Sequence, residues 1–184
     1  YRLLKSIAPD SKLIAVIKAD AYGHGAVEVV RALADADAFA VATSGEALIL
    51  REAGIRQKML VLGGVVDARE MQDCIEHQLD PVFHQFWQIE LLQQTGLRQP
   101  LDVWLKFDSG MGRLGFPSDQ VRLALDRIRH IEGIGSVRLM THLASADDTA
   151  DDKSEQQLQQ VHRLGLDDIG CSPTMVACEV AEDG

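Results

Sequence analysis

The sequence predicts an α/β fold: a (β/α)8 TIM-type barrel, incomplete, with about six of its eight units present. Three observations predict it. Short apolar, β-branched runs alternate six times with segments of helical periodicity, the pattern of a parallel sheet covered by helices. The first strand does not lead into the Gly-x-Gly-x-x-Gly turn of an open dinucleotide-binding sheet. Polar side chains (Lys18, Thr43, Lys106, Asp108 and His142) stand instead at or near the C-terminal ends of strands, where barrels keep their active sites.

The first strand is read over Leu13–Ile17 and ends at Lys18; strand parity puts Lys18 on the face of Ile14 and Val16. Ala26 to Ala36 is a helix with Val29, Val30 and Leu33 at helical spacing. Phe39–Thr43 is the second strand. Ser44 caps the next helix, which faces inward through Leu48, Ile49 and Ala53 and stops at Gly54. Met59–Leu62 is the third strand, and Asp67 opens a helix carrying Met71, Cys74 and Ile75. Asp80–Phe83 is a short fourth strand interrupted by Pro81, followed by a helix over Gln85–Gln94 closed by Gly96. Leu101–Phe107 is the fifth strand; Pro117, Ser118 and Asp119 start a helix with Val121, Leu125 and Ile128 inward. Val137–Leu143 is the sixth strand, and Ser154–Leu164 is a polar helix whose apolar stripe is Leu158 and Val161. Residues 1–164 make the partial barrel. Residues 165–184 are set apart as an acidic tail; Thr174–Val180 has the composition of one strand, but no seventh or eighth unit is placed there.

Charge narrows the function. Acids number 28 against 18 Lys and Arg, a net charge of -10. Residues 1–144 are nearly neutral, with 18 acids and 16 bases, whereas 145–184 hold 10 acids and 2 bases. Such a chain lacks the basic face that a phosphate backbone requires, so no nucleic-acid partner is expected. No apolar run approaches the roughly 18 residues that span a bilayer, so no membrane partner is expected either. Three cysteines, an odd number, do not make a disulfide framework, which points to a reducing cytoplasmic setting. Cys171 and Cys178 lack zinc spacing, His77 and His84 fall on different elements, and no metal is expected. Acid pairs at 147–148, 151–152 and 167–168 read as solvated loops.

Lys18 is the first candidate for chemistry. A buried ammonium is unfavourable, and burial lowers a lysine pKa, giving a nucleophilic amine suited to carbonyl chemistry. The ordinary alternative is a lysine that snorkels to the mouth of the barrel. Behind it runs Lys18-Ala19-Asp20-Ala21-Tyr22-Gly23-His24-Gly25, small enough for a sharp turn close to a ligand. Tyr22 offers a hydroxyl to an anion, and His24 reads as a turn residue. Downstream, Lys106 and Arg113 stand seven apart with Asp108, Gly110, Gly112 and Gly115 around them. Lys106 paired with Asp108, Arg113 tied to surface acids, and His142 as a satisfied strand histidine are the ordinary readings of these three.

The eight-residue run from Lys18 to Gly25 resembles the alanine racemase family. The resemblance continues through Val61-Leu62-Gly63, through Leu105-Lys106-Phe107-Asp108-Ser109-Gly110-Met111-Gly112-Arg113-Leu114-Gly115 and through Thr141-His142-Leu143-Ala144, and covers roughly residues 1–160. It implies an isomerase that uses pyridoxal 5'-phosphate to interconvert L-alanine and D-alanine for the bacterial cell wall. By resemblance, Lys18 carries the cofactor covalently and is one catalytic base. Tyr22 contacts the cofactor phosphate, and Leu62 lines the pocket. Arg113 reaches the phenolic oxygen and the substrate carboxylate. Lys106 is carbamylated and positions Arg113, and His142 packs on the cofactor ring. Carbamylation would relieve the repulsion between two cations facing one pocket.

The family's second base is a tyrosine from a C-terminal β domain of the partner subunit, whereas the only tyrosines here are Tyr1 and Tyr22. Its phosphate serine and pyridine arginine, in the seventh and eighth units, find no counterpart either. The sequence is therefore expected to be a truncated barrel without the C-terminal domain, with little or no racemase activity by itself; a homodimer is expected of the full-length relative. Other PLP-binding barrel proteins (a regulator or a decarboxylase relative) and a non-catalytic fragment are the alternatives.

Overall fold

A computed structural model describes residues 1–148 and 150–165, and the backbone of 172–177. The chain divides into two compact units, residues 1–82 and 83–184. Each repeats the same local logic: a short parallel strand, a connection, a helix.

In the first unit, helix α1 (Arg2–Ile7) precedes strand β1 (Ile14–Val16). A one-turn element, α2 (Lys18–Tyr22), leads to helix α3 (Ala26–Ala32). Then follow β2 (Ala38–Val41), α4 (Ser44–Glu52), β3 (Met59–Val61), α5 (Ala68–Glu76) and β4 (Asp80–Phe83). β1 pairs parallel with β2, β2 with β3, and β3 with β4, the first two ladders running Ile14 to Ala38 and Phe39 to Met59. Phe39, Ala40, Val41, Met59, Leu60 and Val61 are all fully buried. These strands are covered on both faces, which is why they read as continuous apolar runs rather than alternating ones. Burial of each large side chain contributes about 2 kcal/mol.

Helix α5 shows the sequence logic most plainly. Asp67 caps it, its Oδ1 accepting the Glu70 N–H at 2.8 Å, and Met71, Cys74 and Ile75 form the buried stripe. The cap of α4 is Thr43 rather than Ser44. Thr43 Oγ1 accepts the Glu46 N–H, and Glu46 returns the contact to the Thr43 N–H, a capping box that the sequence Thr-x-x-Glu encodes. Its buried face is Ser44, Ala47, Leu50 and Arg51, whereas Ile49 is 62% exposed. The expected inward set Leu48, Ile49 and Ala53 is thus rotated around the helix. Arg51 decides this: its buried guanidinium donates to the carbonyls of Ile55, Gln57, His77 and Gln78, and burial pulls its pKa below the usual value.

The second unit contains α6 (Phe86–Thr95), β5 (Leu101–Lys106), α7 (Ser118–Arg129), β6 (Ile134–His142), α8 (Lys153–Arg163) and β7 (Ser172–Ala177). β5 pairs parallel with β6, Lys106 opposite Met140, and β6 with β7, His142 opposite Ala177. Val121, Ala124, Leu125 and Ile128 form the buried stripe of α7. On α8 the buried residues are Gln157 and Val161, and Leu158 is only half-buried. The segment set apart as a tail contains β7, a strand beside β6. Cys171, Cys178 and the acids at 167–168 lie outside the described residues. No described helix is long and apolar enough to cross a membrane.

Candidate active site

Strand β1 stops at Val16. Ile17 is buried, with its N–H on Ala40 O at 2.8 Å, and the chain then turns left-handed. Ala19, Asp20, Ala21 and Tyr22 have φ of 51, 54, 54 and 55°. The Ala21 N–H reaches Ile17 O at 3.0 Å and the Gly23 N–H reaches Ala19 O at 3.1 Å, closing one left-handed helical turn. Such a run is unfavourable for residues bearing a Cβ. The strand ends before Lys18, and Ile17 has ψ 26°, outside the extended region, so the strand parity expected from the sequence does not run as far as Lys18. Lys18 is half-buried, its Nζ 5.7 Å from the centre of the Tyr22 ring, within cation–π range. Tyr22 is 52% exposed. His24 is a turn residue, as expected, with Nδ1 2.9 Å from Ala21 O.

Two acidic side chains brace this turn. Asp20 Oδ1 accepts the Ala26 N–H at 2.7 Å, joining the turn to the start of α3. Glu46 Oε1 accepts the Ala19 N–H at 2.8 Å. At the next strand ends, the Leu62 N–H donates to Val41 O and the Gly63 N–H to Ala42 O, which leaves Leu62 half-buried.

In the second unit, Lys106 is the last residue of β5 and is buried. The loop after it is pinched shut at its base. The Phe116 N–H donates to Lys106 O at 2.8 Å and the Asp108 N–H to Phe116 O at 3.0 Å. Within the loop, Asp108 Oδ1 accepts the N–H groups of Gly110 and Gly112, each at 3.0 Å. Gly115 must be glycine: its φ is 138°, and a Cβ would stand 2.5 Å from the Asp108 nitrogen. Arg113 is exposed on this braced loop.

His142 ends β6 and is half-buried. Around it lies a buried polar network that sequence reading missed. Gln157 Nε2 donates to His142 O at 2.8 Å and to Ser109 Oγ at 3.0 Å, and its Oε1 accepts the Ala144 N–H at 2.9 Å. Ser109 Oγ and Thr141 Oγ1 lie 2.7 Å apart, and the Thr141 hydroxyl donates to Phe107 O. The available signal was the spacing of Gln157 from Val161 and Leu164, one helical face. Among the described residues, no cluster of three or more His, Cys, Asp or Glu side chains is arranged to hold a metal ion.

Parallel strands followed by helices, with braced loops beyond the ends of β1 and β5, define an α/β domain of the barrel type. A model of the family "Alanine racemase, N-terminal domain" matches residues 1–178. The chain belongs to this family. It is 50% identical over 149 residues to the alanine racemase of an Azoarcus species, covering 80% of this chain and 42% of the relative. It is 45% identical over 159 residues to the catabolic alanine racemase of Pseudomonas aeruginosa, covering 86% and 44%. The solved structure of the biosynthetic alanine racemase from Pseudomonas aeruginosa superimposes with a TM-score of 0.90 at 42% identity, over 96% of this chain and 49% of that one. The predicted fold class, an incomplete (β/α)8 barrel, is therefore correct. The chain spans less than half the length of these curated relatives.

Proposed function

We propose that this chain is the cofactor-holding part of an alanine racemase, an isomerase that interconverts L-alanine and D-alanine with pyridoxal 5'-phosphate. The observation that carries the reading is the Lys18 turn. A primary amine stands half-buried after an apolar strand, on a backbone turn braced by Asp20 and Glu46 and beside a phenol. This donor set fits the cofactor: an amine for its aldehyde, a hydroxyl for its phosphate, and a guanidinium for the substrate carboxylate.

When bound, pyridoxal phosphate supplies an electron sink that makes the Cα proton of an amino acid acidic. The chain's own residues then divide the work. Lys18 anchors the cofactor and takes or returns the Cα proton on one face. Tyr22 donates to the phosphate, Leu62 lines the pocket, and His142 packs on the ring. Arg113 binds the phenolic oxygen and the substrate carboxylate. A carbamate on Lys106 would be an anion able to orient Arg113. Delivery to the opposite face needs a second group. Tyr1 donates its hydroxyl to Asp35 O and Asp37, and Tyr22 neighbours Lys18. In this reading the second group comes from outside these 184 residues, in a homodimer of the whole protein, and the chain alone turns over little alanine. A cytoplasmic location belongs to the same proposal.

The test adds pyridoxal phosphate to the purified chain, follows the visible absorbance of the lysine-bound form, reduces with borohydride and maps the label. Label on Lys18, lost in Lys18→Ala, is the expected result; label on another residue, or none, rejects the assignment. A coupled D-alanine assay on the same sample should read near background.

A further inference from the structure

Four successive non-glycine residues after Lys18 hold left-handed φ values. Each costs roughly 1–2 kcal/mol relative to a relaxed backbone, so the turn persists only if its surroundings over-determine it. The bonds inside the turn do not reach its first amide. That amide, the Ala19 N–H, belongs to the peptide plane directly after Lys18, and it donates to Glu46 Oε1 at 2.8 Å. The other oxygen, Oε2, accepts the Ala42 N–H at 2.6 Å and the Thr43 N–H at 3.2 Å. One carboxylate therefore joins the exit of β1 to the exit of β2.

A capping box accounts for only part of this. It needs the reciprocal bonds between Thr43 and Glu46 and nothing more. The bond to Ala19 goes to another element, 27 residues earlier in the chain. Bonds from N–H groups to an ionised carboxylate are about twice as strong as neutral ones, which suits a carboxylate that holds an unfavourable backbone.

We infer that Glu46 is a positioning residue for Lys18: its carboxylate fixes the peptide plane after the lysine, holds the turn left-handed, and so sets where the amine stands. This deepens, and rests on, the reading of Lys18 as the cofactor-bearing amine. Glu46→Gln is close in size but replaces one accepting oxygen with an NH2 group and removes the charge. Thr43→Ala removes the side-chain half of the capping box and leaves the Glu46 bonds to Ala19 and Ala42 in place.

Two measurements on the purified chain decide the matter. One is hydrogen–deuterium exchange of the peptide spanning 17–25, which needs no cofactor. The other is the rate at which added pyridoxal phosphate gives a borohydride-trapped adduct on Lys18. E46Q is expected to speed the exchange and to slow the adduct by about tenfold or more, whereas T43A changes neither. Wild-type exchange in E46Q overturns the inference, as does an unchanged adduct rate, or an equal effect in T43A. If the wild type forms no adduct, the reading of Lys18 fails, and the exchange in E46Q alone decides whether Glu46 holds the turn. If E46Q does not fold, Glu46→Asp, which keeps the charge on a shorter arm, is judged by the same two criteria.

Discussion

The exits of β1 and β2 in the first unit and of β5 and β6 in the second solve one problem with different chemistry. Each pair of exits is tied together by a side chain from the helix that follows. In the first unit the tie is a carboxylate, Glu46, half-buried and accepting three backbone N–H groups. In the second it is a neutral amide, Gln157, fully buried, donating to a carbonyl and a hydroxyl and accepting one N–H. An anion suits the first site because its partners are all donors and water reaches it. The second is closed to water, where an uncompensated charge would be costly, and only a group that both donates and accepts satisfies its mixed neighbours.

The contrast can be broken first at its glycines. Gly115→Ala in the second unit combines positive φ with a Cβ forced against Asp108 backbone, and should lower unfolding free energy by about 4 kcal/mol in urea. Gly23→Ala in the first unit, at φ 86° but with nothing within 4 Å of the added Cβ, should cost only about 1 kcal/mol. Equal losses would show that the second loop is not closed as tightly as its bonds indicate.

Gln157→Leu comes next. It removes the Gln157 bonds to the Ala144 N–H, His142 O and Ser109 Oγ, the last of which keeps Thr141, and should destabilise by roughly 2–4 kcal/mol. A loss below about 1 kcal/mol, read from the same urea curves, would mean that water replaces the amide.

Acidification sharpens the contrast at the edge of the first unit. The Leu13 N–H first, then Lys5, hold the Asp37 carboxylate below its ordinary pKa. A depressed folded value means that its stabilisation is present above about pH 4 and is lost as pH falls through the folded pKa. The urea midpoints of wild type and Asp37→Asn should therefore converge on acidification; a constant gap would contradict this.

The smallest effect concerns Cys74, whose thiol is pushed up to about 12 by burial, then by Glu70, Asp73 and Asp80. Alkylation at pH 8 followed by peptide mapping should find Cys74 unlabelled until urea is added.

Much of this arrangement was legible in the sequence. β4 and the buried stripe of α5 were read residue for residue, because apolar spacing and the Asp67 cap are local signals. The C-terminal ends of the strands came within a residue or two, enough to single out Lys106 and His142 as strand-end residues, whereas β6 begins three residues before its expected start. The inward face of α4 was misread because a buried arginine satisfied by four carbonyls looks like a surface charge in one dimension. Gln157 was passed over for a similar reason: it stands on a polar helix, and its place on one face with Val161 and Leu164 shows that it turns inward but not which three partners it meets.

The sequence by itself determined the alternation of strands and helices and the small residues after Lys18, since periodicity and steric size act over a few neighbours. Only the tertiary structure decided the hand of the turn after Lys18 and the partners of Glu46 and Gln157. A left-handed backbone at Ala19 is unfavourable on local grounds, and it stands because a carboxylate 27 residues away accepts its amide.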